Sequence, residues 1–166
     1  MITQNIDNLH QQAGSRNVIE LHGNAYRVRC TGCSRRITLE KERIGEMLGL
    51  ILKYKHSRVK FMRVLSRYFP RCSCGGRFRI DIVLFGEELP EQEMARAYAY
   101  LDRCSVLLVV GSSLVVYPAA GLPIYARERG ATLIEINDEK SAFSDMCKYS
   151  FIGKAGEILA EIFTRP

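Results

Sequence analysis

Four of the six cysteines form two close pairs, and this spacing is the strongest chemical signal in the sequence. Two residues separate Cys30 from Cys33, and one residue separates Cys72 from Cys74. Zinc binds four thiolates in a tetrahedron, and a tight turn that presents two cysteines supplies half of that set. We therefore predict one zinc site, structural because four thiolates leave no open position on the metal. Two unrelated pairs of free thiols or disulfides are the alternative.

A single histidine stands where a predicted strand ends. His22 follows residues 17–21, whose apolar and β-branched side chains predict a strand, and it precedes Gly23. In an open α/β sheet, ligands bind at the carboxyl ends of the strands. An imidazole with a near-neutral pKa can act there as a general base. The residues by themselves do not distinguish a general base from a structural histidine.

Two further groups of polar residues have the chemistry to bind a ligand. Residues 3–7 place amide and carboxylate groups before a helix predicted over residues 8–13, where they either cap that helix or bind a polar ligand. Gly111, Ser112 and Ser113 lie between a strand and a helix, so their backbone amides could meet phosphate or ribose. They are not a G-x-G-x-x-G motif, and the signal is not specific.

The hydrophobic pattern predicts a scaffold of alternating strands and helices for these groups. Strands over residues 106–110 and 132–136 flank a helix over 118–129, and this βαβ order implies a parallel sheet. A further strand is predicted over 80–84, and a closing helix over 155–163. The fold class is therefore α/β, with a parallel sheet.

Positive charge is concentrated in one segment. Residues 34–71 hold eleven Lys and Arg against three Glu, whereas the whole chain carries +6. Apolar residues at helical spacing predict two amphipathic helices there, over 44–52 and 61–69, with their apolar stripes packed together. This packing would direct six basic side chains outward: Lys53, Lys55, Arg58, Lys60, Arg63 and Arg67. A solvated face and a surface that binds a polyanion or an acidic protein are both compatible with this pattern.

The charge pattern also divides the chain into domains. We expect residues 30–78 to form a zinc-binding module that carries the basic helical insertion over 34–71. Residues 1–29 and 79–166 would form the α/β body of the protein.

The composition is that of a soluble globular protein. The chain has 166 residues, of which 47% are hydrophobic and 25% charged, and this excludes a disordered tail, a collagen and a coiled coil. The first residues show no secretory signal, so we expect a reducing, cytoplasmic setting. Residues 105–126 lack charge, but glycine and proline interrupt them, and we expect no membrane contact.

The motifs occur in an order that resembles one family. They are Thr-Gln-Asn-Ile-Asp from Thr3, Ile-Glu-Leu-His-Gly from Ile19, the cysteine pairs, Val-Leu-Phe-Gly-Glu from Val83, and Gly-Ser-Ser-Leu-Val from Gly111. This series resembles the sirtuins, NAD-dependent protein deacetylases and deacylases. The basic insertion lies outside the resemblance, and Ile80 stands where the family commonly has proline.

The chain also begins close to the first of these motifs. Sirtuins carry a Gly-Ala-Gly-Ile-Ser segment and an Asp-Phe-Arg loop upstream of Thr-Gln-Asn, whereas here two residues precede Thr3. We therefore expect residues 1–29 and 79–166 to be an N-terminally truncated catalytic domain, the second half of a Rossmann-like NAD-binding fold. This chain alone is expected to bind NAD weakly or not at all, because half of the pyrophosphate cradle is missing.

The resemblance implies a role for each group of residues. His22 would be the general base, and the peptide substrate would be bound by Val83, Phe85, Gly86 and Glu87. Structural Zn²⁺ would be held by Cys30, Cys33, Cys72 and Cys74. NAD, the co-substrate, would be bound by Gln4, Asn5, Ile6, Asp7, Gly111, Ser112, Ser113, Asn137, Asp138, Glu139 and Ala155.

The implied reaction transfers the acyl group of an acylated lysine to ADP-ribose and releases nicotinamide. The partner would be an acylated-lysine protein or peptide. The alternative function is that of a non-catalytic, zinc-stabilised module, which binds nucleic acid or an acidic protein through its basic insertion.

Overall fold

A computed structural model describes residues 1–69 and 71–164, and the chain forms two compact units. The first unit is Met1–Glu88, and the second begins at Leu89. The functional domains predicted over 1–29 with 79–166, and over 30–78, stay a prediction.

The first unit contains two small sheets and a helical hairpin. Its elements in chain order are β1 (Ile2–Thr3), α1 (Leu9–Gln12), β2 (Ile19–Glu20), β3 (Gly23–Cys30), β4 (Arg36–Thr38), α2 (Lys41–Tyr54), α3 (Arg58–Tyr68) and β5 (Phe78–Ile82). Strands β1 and β2 pair in parallel, with Ile2 opposite Ile19 and Thr3 opposite Glu20. Because the two strands run the same way, the segments that follow them emerge at the same edge.

The strand predicted over 80–84 is placed differently by the structure. It is β5, which begins two residues earlier and ends at Ile82, and it pairs antiparallel with β3 in a sheet of order β4-β3-β5. Hydrophobic periodicity predicts that a strand is present, but it does not predict whether that strand pairs parallel or antiparallel. Strand β3 was not predicted, because arginines interrupt its apolar residues. Arg27 and Arg29 lie 2.6 and 3.1 Å from the buried carboxylate of Asp81, and Arg27 also pairs with Glu20 at 2.9 Å, so that the two acids offset the charge of the two arginines.

The two predicted amphipathic helices are confirmed as α2 and α3. Their apolar sides pack around a small core, in which Met47, Val64 and Tyr68 are buried. Outward exposure of the six basic side chains predicted above is also confirmed. The helices gain their stability from this shared core, since short isolated helices are marginal in water.

The second unit is built on a three-stranded parallel sheet of order β6-β7-β8. Its elements are α4 (Glu91–Leu101), β6 (Val106–Val110), α5 (Leu122–Glu128), β7 (Thr132–Asn137), β8 (Tyr149–Ile152) and α6 (Ala155–Thr164). The strands predicted over 106–110 and 132–136 and the closing helix are confirmed.

The helix predicted over 118–129 starts later than expected. A 3₁₀ turn covers Ala119–Gly121, and Pro123 rather than Pro118 lies in the first turn of α5. In the described part of the chain, no helix is long and apolar enough to cross a membrane.

A buried carboxylate fastens the loop between β7 and β8. Glu135 is 1% exposed and accepts hydrogen bonds from the hydroxyls of Ser141, Ser144 and Ser150, the last two at 2.6 Å. Burial alone would raise the pKa of Glu135, but the three hydroxyl donors outweigh burial and lower it. The contribution of this group to stability is therefore complete above its unfolded pKa of about 4.3 and is lost as the pH falls through its folded pKa.

We expect Glu135→Gln to lower the free energy of unfolding by about 2 kcal/mol at pH 7, because charge-assisted hydrogen bonds are lost. The difference from wild type should shrink as the pH falls from 5 to 3, where the wild-type carboxylate takes up a proton. Urea unfolding followed by circular dichroism at each pH measures both effects. Glu128→Gln, on the exposed side of α5, is the control and should change neither value. A pH-independent difference would contradict the role of the charge.

Candidate functional site

The parallel pairing of β1 and β2 brings the Thr3–Asp7 motif next to His22. Leu21 N–H donates to the Thr3 carbonyl at 3.0 Å, and the half-buried His22 ring lies directly beyond, with Nδ1 3.0 Å from the Gln4 carbonyl oxygen. Since a carbonyl only accepts, Nδ1 carries the hydrogen, and the neutral ring has its lone pair on Nε2. This tautomer is the one that a general base acting through Nε2 requires.

Gly23 is the residue that permits this arrangement. Its φ is +77°, and a Cβ added there would lie 2.0 Å from the backbone oxygen of Asp81. Only glycine fits so close to β5 with this backbone conformation. The close approach lets Val83 N–H donate to the His22 carbonyl at 3.0 Å, which fixes the backbone on which the imidazole stands.

Hydrogen bonds among polar side chains stabilise the segment that follows the Thr3–Asp7 motif. Asn24 Nδ2 donates to Asn8 Oδ1 at 2.9 Å and to Glu20 Oε1 at 2.5 Å, and Gln11 also donates to Glu20. Asp7 Oδ1 accepts the N–H of Leu9, the first residue of α1, at 3.0 Å. The carboxylate of Asp7 therefore satisfies the first N–H of α1, whereas Asn8, the N-cap residue, makes no side-chain cap.

Within the second unit, three predicted ligand-binding groups meet at the carboxyl edge of the parallel sheet. Gly111 and Ser112 follow β6, residues 137–139 lie at the end of β7, and Gly153 follows β8. Asn137 Nδ2 donates to the Ser112 carbonyl at 3.4 Å, and Gly153 N–H donates to the Asn137 carbonyl at 2.8 Å. This edge is the position at which parallel α/β sheets bind ligands. Ala155, the first residue of α6, lies two residues beyond Gly153.

The four predicted zinc ligands converge on one point. Their sulfur atoms all lie within 4.8 Å of one another, with Cys30 and Cys74 3.5 Å apart and Cys33 and Cys72 3.7 Å apart. A tetrahedral zinc with Zn–S bonds of about 2.3 Å needs sulfur atoms about 3.8 Å apart. The distances fit zinc and are too long for the disulfides of the alternative. The cluster is consistent with a structural zinc site.

The surroundings of the cluster favour the thiolate at Cys30 and Cys72 but not at Cys74. A hydrogen bond from the Cys74 backbone is the main factor that lowers the pKa of Cys72 to about 6, and the backbone of Cys33 lowers the pKa of Cys30. A hydrogen bond from the Gly76 backbone acts to lower the pKa of Cys74, but hydrogen bonds to the sulfurs of Cys30 and Cys33 outweigh it and raise this pKa to about 12. Four sulfurs so placed need a cation to carry full negative charge together.

Two glycines close the turns around the cluster. A Cβ on Gly76 would lie 2.7 Å from the sulfur of Cys30 and 2.9 Å from the backbone nitrogen of Gly32. We therefore expect Gly76→Ala to weaken zinc binding at least about tenfold, because the backbone of one turn must move and misplace a ligand. Titration with a chromophoric zinc chelator measures the affinity.

Gly45→Ala is the matched control for that substitution. Gly45 lies in α2 with open space around its Cβ position, so alanine should leave zinc affinity unchanged and favour the helix slightly. Equal zinc affinity in the Gly76→Ala and wild-type proteins would contradict the proposed close packing.

Arg79 and the close approaches of Gly23 and Gly76 were not predictable from the sequence. They depend on contacts with residues distant in the sequence, and no periodic pattern marks them. For the two glycines, the sequence signal was their position close to a candidate histidine or cysteine. Cys104 and Cys147 lie outside the cluster and are half-buried.

The strand-end groups and the four-cysteine cluster define an α/β protein with a zinc module, and the comparisons with known proteins specify its family. The model of the Sir2 family matches residues 1–118. The NAD-dependent protein deacylase of Pyrococcus furiosus is 46% identical over 164 residues, which are 98% of this chain and 59% of the relative. NAD-dependent protein deacylase 1 of Archaeoglobus fulgidus is 39% identical over 98% of this chain and 58% of the relative.

Solved structures agree with this result. A Sir2 homologue in complex with NAD has a TM-score of 0.76 at 39% identity, over 97% of this chain and 55% of that chain. Sir2 bound to acetylated peptide has a TM-score of 0.74 at 35% identity, over 97% and 60%. The chain therefore belongs to the Sir2 family. It spans somewhat less than two thirds of the length of these relatives.

Proposed function

We propose that the protein is a sirtuin-type, NAD-dependent protein-lysine deacetylase or deacylase. The observation that carries this proposal is the His22 imidazole at a strand end, with Nδ1 donating to the Gln4 carbonyl and Nε2 left to take up a proton. Relatives named NAD-dependent protein deacylase support the proposal, as do solved Sir2 structures named as complexes with NAD and with acetylated peptide. In this reaction the acyl group passes from lysine to ADP-ribose, and nicotinamide is released.

Residues of the first unit would have separate roles in the proposed reaction. NAD, when bound, supplies a ribose whose hydroxyl His22 would deprotonate through Nε2. Gln4, Asn5, Ile6 and Asp7 would bind the nicotinamide end of the cofactor. The loop geometry described above supports this assignment, because Asp7 and Asn5 are already fixed by hydrogen bonds to Leu9 and Thr3.

The residues of the second unit would bind the dinucleotide at the edge of the parallel sheet. Ser112 and Asn137 are fixed to each other by a hydrogen bond at the ends of β6 and β7. Such strand ends present backbone amides and short polar side chains to ribose and phosphate. The same role is proposed for Gly111, Ser113, Asp138, Glu139 and Ala155.

Three further assignments belong to this proposal. Val83, Phe85, Gly86 and Glu87 would form the side of a cleft that receives the acylated peptide by strand addition. Cys30, Cys33, Cys72 and Cys74 would hold a structural zinc. A cytoplasmic location is proposed as well, because a cysteine cluster placed to bind zinc requires reduced thiols.

The test measures nicotinamide release by a chimera. The chain replaces the matching part of the Pyrococcus furiosus relative, and NAD is supplied with or without an acetyl-lysine peptide. We expect release only when the acetylated peptide is present. A chimera that folds, binds zinc and releases no nicotinamide would contradict the proposed function.

A second function, contact with a polyanion or an acidic protein through residues 34–71, is supported by the distribution of charge on the helical hairpin. All three acids of this segment lie near the start of α2, where Glu40, Glu42 and Glu46 line a cleft with Arg43 and Arg67. Residues 53–63, at the other end of the hairpin, hold five basic residues and no acid. The positive charge is therefore compensated at one end of the hairpin and uncompensated at the other.

Removing this charge should weaken the binding of a labelled duplex DNA. We expect the variant with Lys53, Arg58, Lys60 and Arg63 changed to Ala to lose at least about tenfold in affinity at low salt, and wild-type affinity to fall steeply as salt rises. Fluorescence anisotropy measures both. The control removes four exposed charges elsewhere: Arg16, Arg103, Arg127 and Lys140. Equal binding by both variants, or no binding by wild type, would contradict this function and leave the hairpin as a solvent-exposed structural element.

A further inference from the structure

The turn after β5 holds apolar side chains in solvent. Glu87 N–H donates to the Leu84 carbonyl at 3.0 Å and closes a four-residue turn, in which Gly86 has the positive φ (+86°) that a type II turn requires at its third position. Phe85 occupies the corner and is 103% exposed, and Leu84 beside it is 53% exposed. A phenyl ring in this position gains the full benefit of burial only when a partner covers it.

Arg79, a residue of β5 with no role in the sequence analysis, fastens this turn. Its Nη1 lies 2.5 Å from Glu87 Oε1 and its Nη2 lies 3.0 Å from Glu87 Oε2, the bidentate geometry in which guanidinium and carboxylate bind most strongly. Nη2 also donates to the Ile82 carbonyl at 3.2 Å, at the end of the strand. The ion pair therefore connects the end of β5 to the far side of the turn.

The carboxylate of Glu87 is held by groups of the protein itself. Its Oε2 also accepts the N–H of Leu84 at 3.0 Å, so that guanidinium and backbone hold the carboxylate from two sides. The hydrogen bond from Arg79 is the main factor that lowers the pKa of Glu87 to about 2, which keeps the pair ionised at neutral pH. This carboxylate has its partners within the protein and does not need a substrate to compensate it.

We propose that Arg79 and Glu87 are positioning residues, which hold residues 84–87 so that Phe85 packs against the acylated peptide. In this arrangement the carboxylate of Glu87 does not bind the peptide, and Glu87 contributes to the cleft through the turn that it stabilises. The inference rests on the proposed function, because it takes the acylated-lysine peptide as the ligand. It adds Arg79 to the residues that determine peptide affinity.

A double-mutant cycle tests the proposal on the full chain. A fluorescein-labelled acetyl-lysine peptide is titrated with wild type, Arg79→Gln, Glu87→Gln and the double variant, and fluorescence anisotropy gives the affinity. We expect each single substitution to weaken binding about tenfold and the double variant to be no weaker than either, because the two residues act as one unit. Direct contact of Glu87 with the peptide would instead make Glu87→Gln the more harmful change and the double variant weaker still.

Amide hydrogen exchange provides a readout that does not depend on the peptide. The N–H groups of Leu84 and Glu87 should exchange at least about tenfold faster in Arg79→Gln than in wild type, while those of β6 stay unchanged. Phe85→Ala should weaken peptide binding without changing this exchange. The matched control breaks another exposed ion pair, that of Arg96 and Glu93, by Arg96→Gln and should change neither measurement.

The outcomes separate this inference from the proposed function. Unchanged amide exchange in Arg79→Gln overturns the positioning role. Faster exchange with unchanged peptide affinity overturns the link between the turn and the peptide. A wild-type chain that binds the acetylated and the unacetylated peptide equally, or neither, overturns the inference, whereas the proposed function is judged by nicotinamide release from the chimera.

Discussion

We expect His22→Ala to reduce nicotinamide release at least about 100-fold in the chimera that carries this chain. General acid–base catalysis contributes about 10²- to 10⁴-fold to a rate, and alanine has no group to take up the proton. The fold should persist, because the backbone carbonyl of His22, which accepts the N–H of Val83 just after β5, is retained in alanine. Circular dichroism and zinc content establish that the variant is folded, and a rate measured at saturating NAD and peptide reports the chemical step.

The control for this prediction is His56→Ala. His56 is exposed between α2 and α3, so its loss should leave the rate unchanged. A His22→Ala protein that keeps more than a few per cent of the wild-type rate would contradict the role of general base. His22→Gln adds a finer test, since glutamine retains a hydrogen-bond donor toward the Gln4 carbonyl but cannot act as a base at neutral pH.

Removal of zinc should unfold the sheet β4-β3-β5. We expect purified protein to contain about one zinc per chain, and chelation to abolish the chemical-shift dispersion of this sheet in an NMR spectrum. Structural zinc contributes about 10 kcal/mol or more to the folding of small modules, because the ligand set forms only in the folded state. Cys30 lies at the end of β3, and Cys72 precedes the turn that leads into β5, so the metal joins both strands.

Substitution of a single ligand gives the same test without a chelator. Cys72→Ser should lose most of the bound zinc, measured by mass spectrometry of the metal, whereas Cys104→Ser should keep it because Cys104 lies outside the cluster. The sheet β6-β7-β8 serves as an internal reference, since its strands carry none of the four ligands. A folded, soluble Cys72→Ser protein with full zinc content would contradict the assignment.

Several parts of the structure followed from the sequence because their signals are local. The apolar runs over 106–110 and 132–136 are strands because β-branched residues favour the extended backbone of a sheet, and the stripes of α2 and α3 repeat at helical spacing. The close spacing of each cysteine pair is likewise a local property, and two such pairs were enough to predict a four-sulfur cluster.

Other parts of the structure depended on contacts between residues far apart in the sequence. The direction of β5, the existence of β3, and the ion pairs of Asp81 with Arg27 and Arg29 arise from pairing across about 48 to 59 residues, which no periodicity encodes. The tautomer of His22 could not be predicted from the sequence either, because it is fixed by a carbonyl eighteen residues away.

The sequence by itself determined the residue types that do chemistry: four thiols, an imidazole at a strand end, and short polar groups after the strands. Only the tertiary structure decided how they are used. It brought the sulfurs within 4.8 Å of one another, left the lone pair of His22 on Nε2, and occupied the carboxylate of Glu87 with Arg79. The physical reason is that hydrogen bonds, ion pairs and close packing are made between atoms that meet only when the chain is folded, whereas composition and spacing record only which atoms are available.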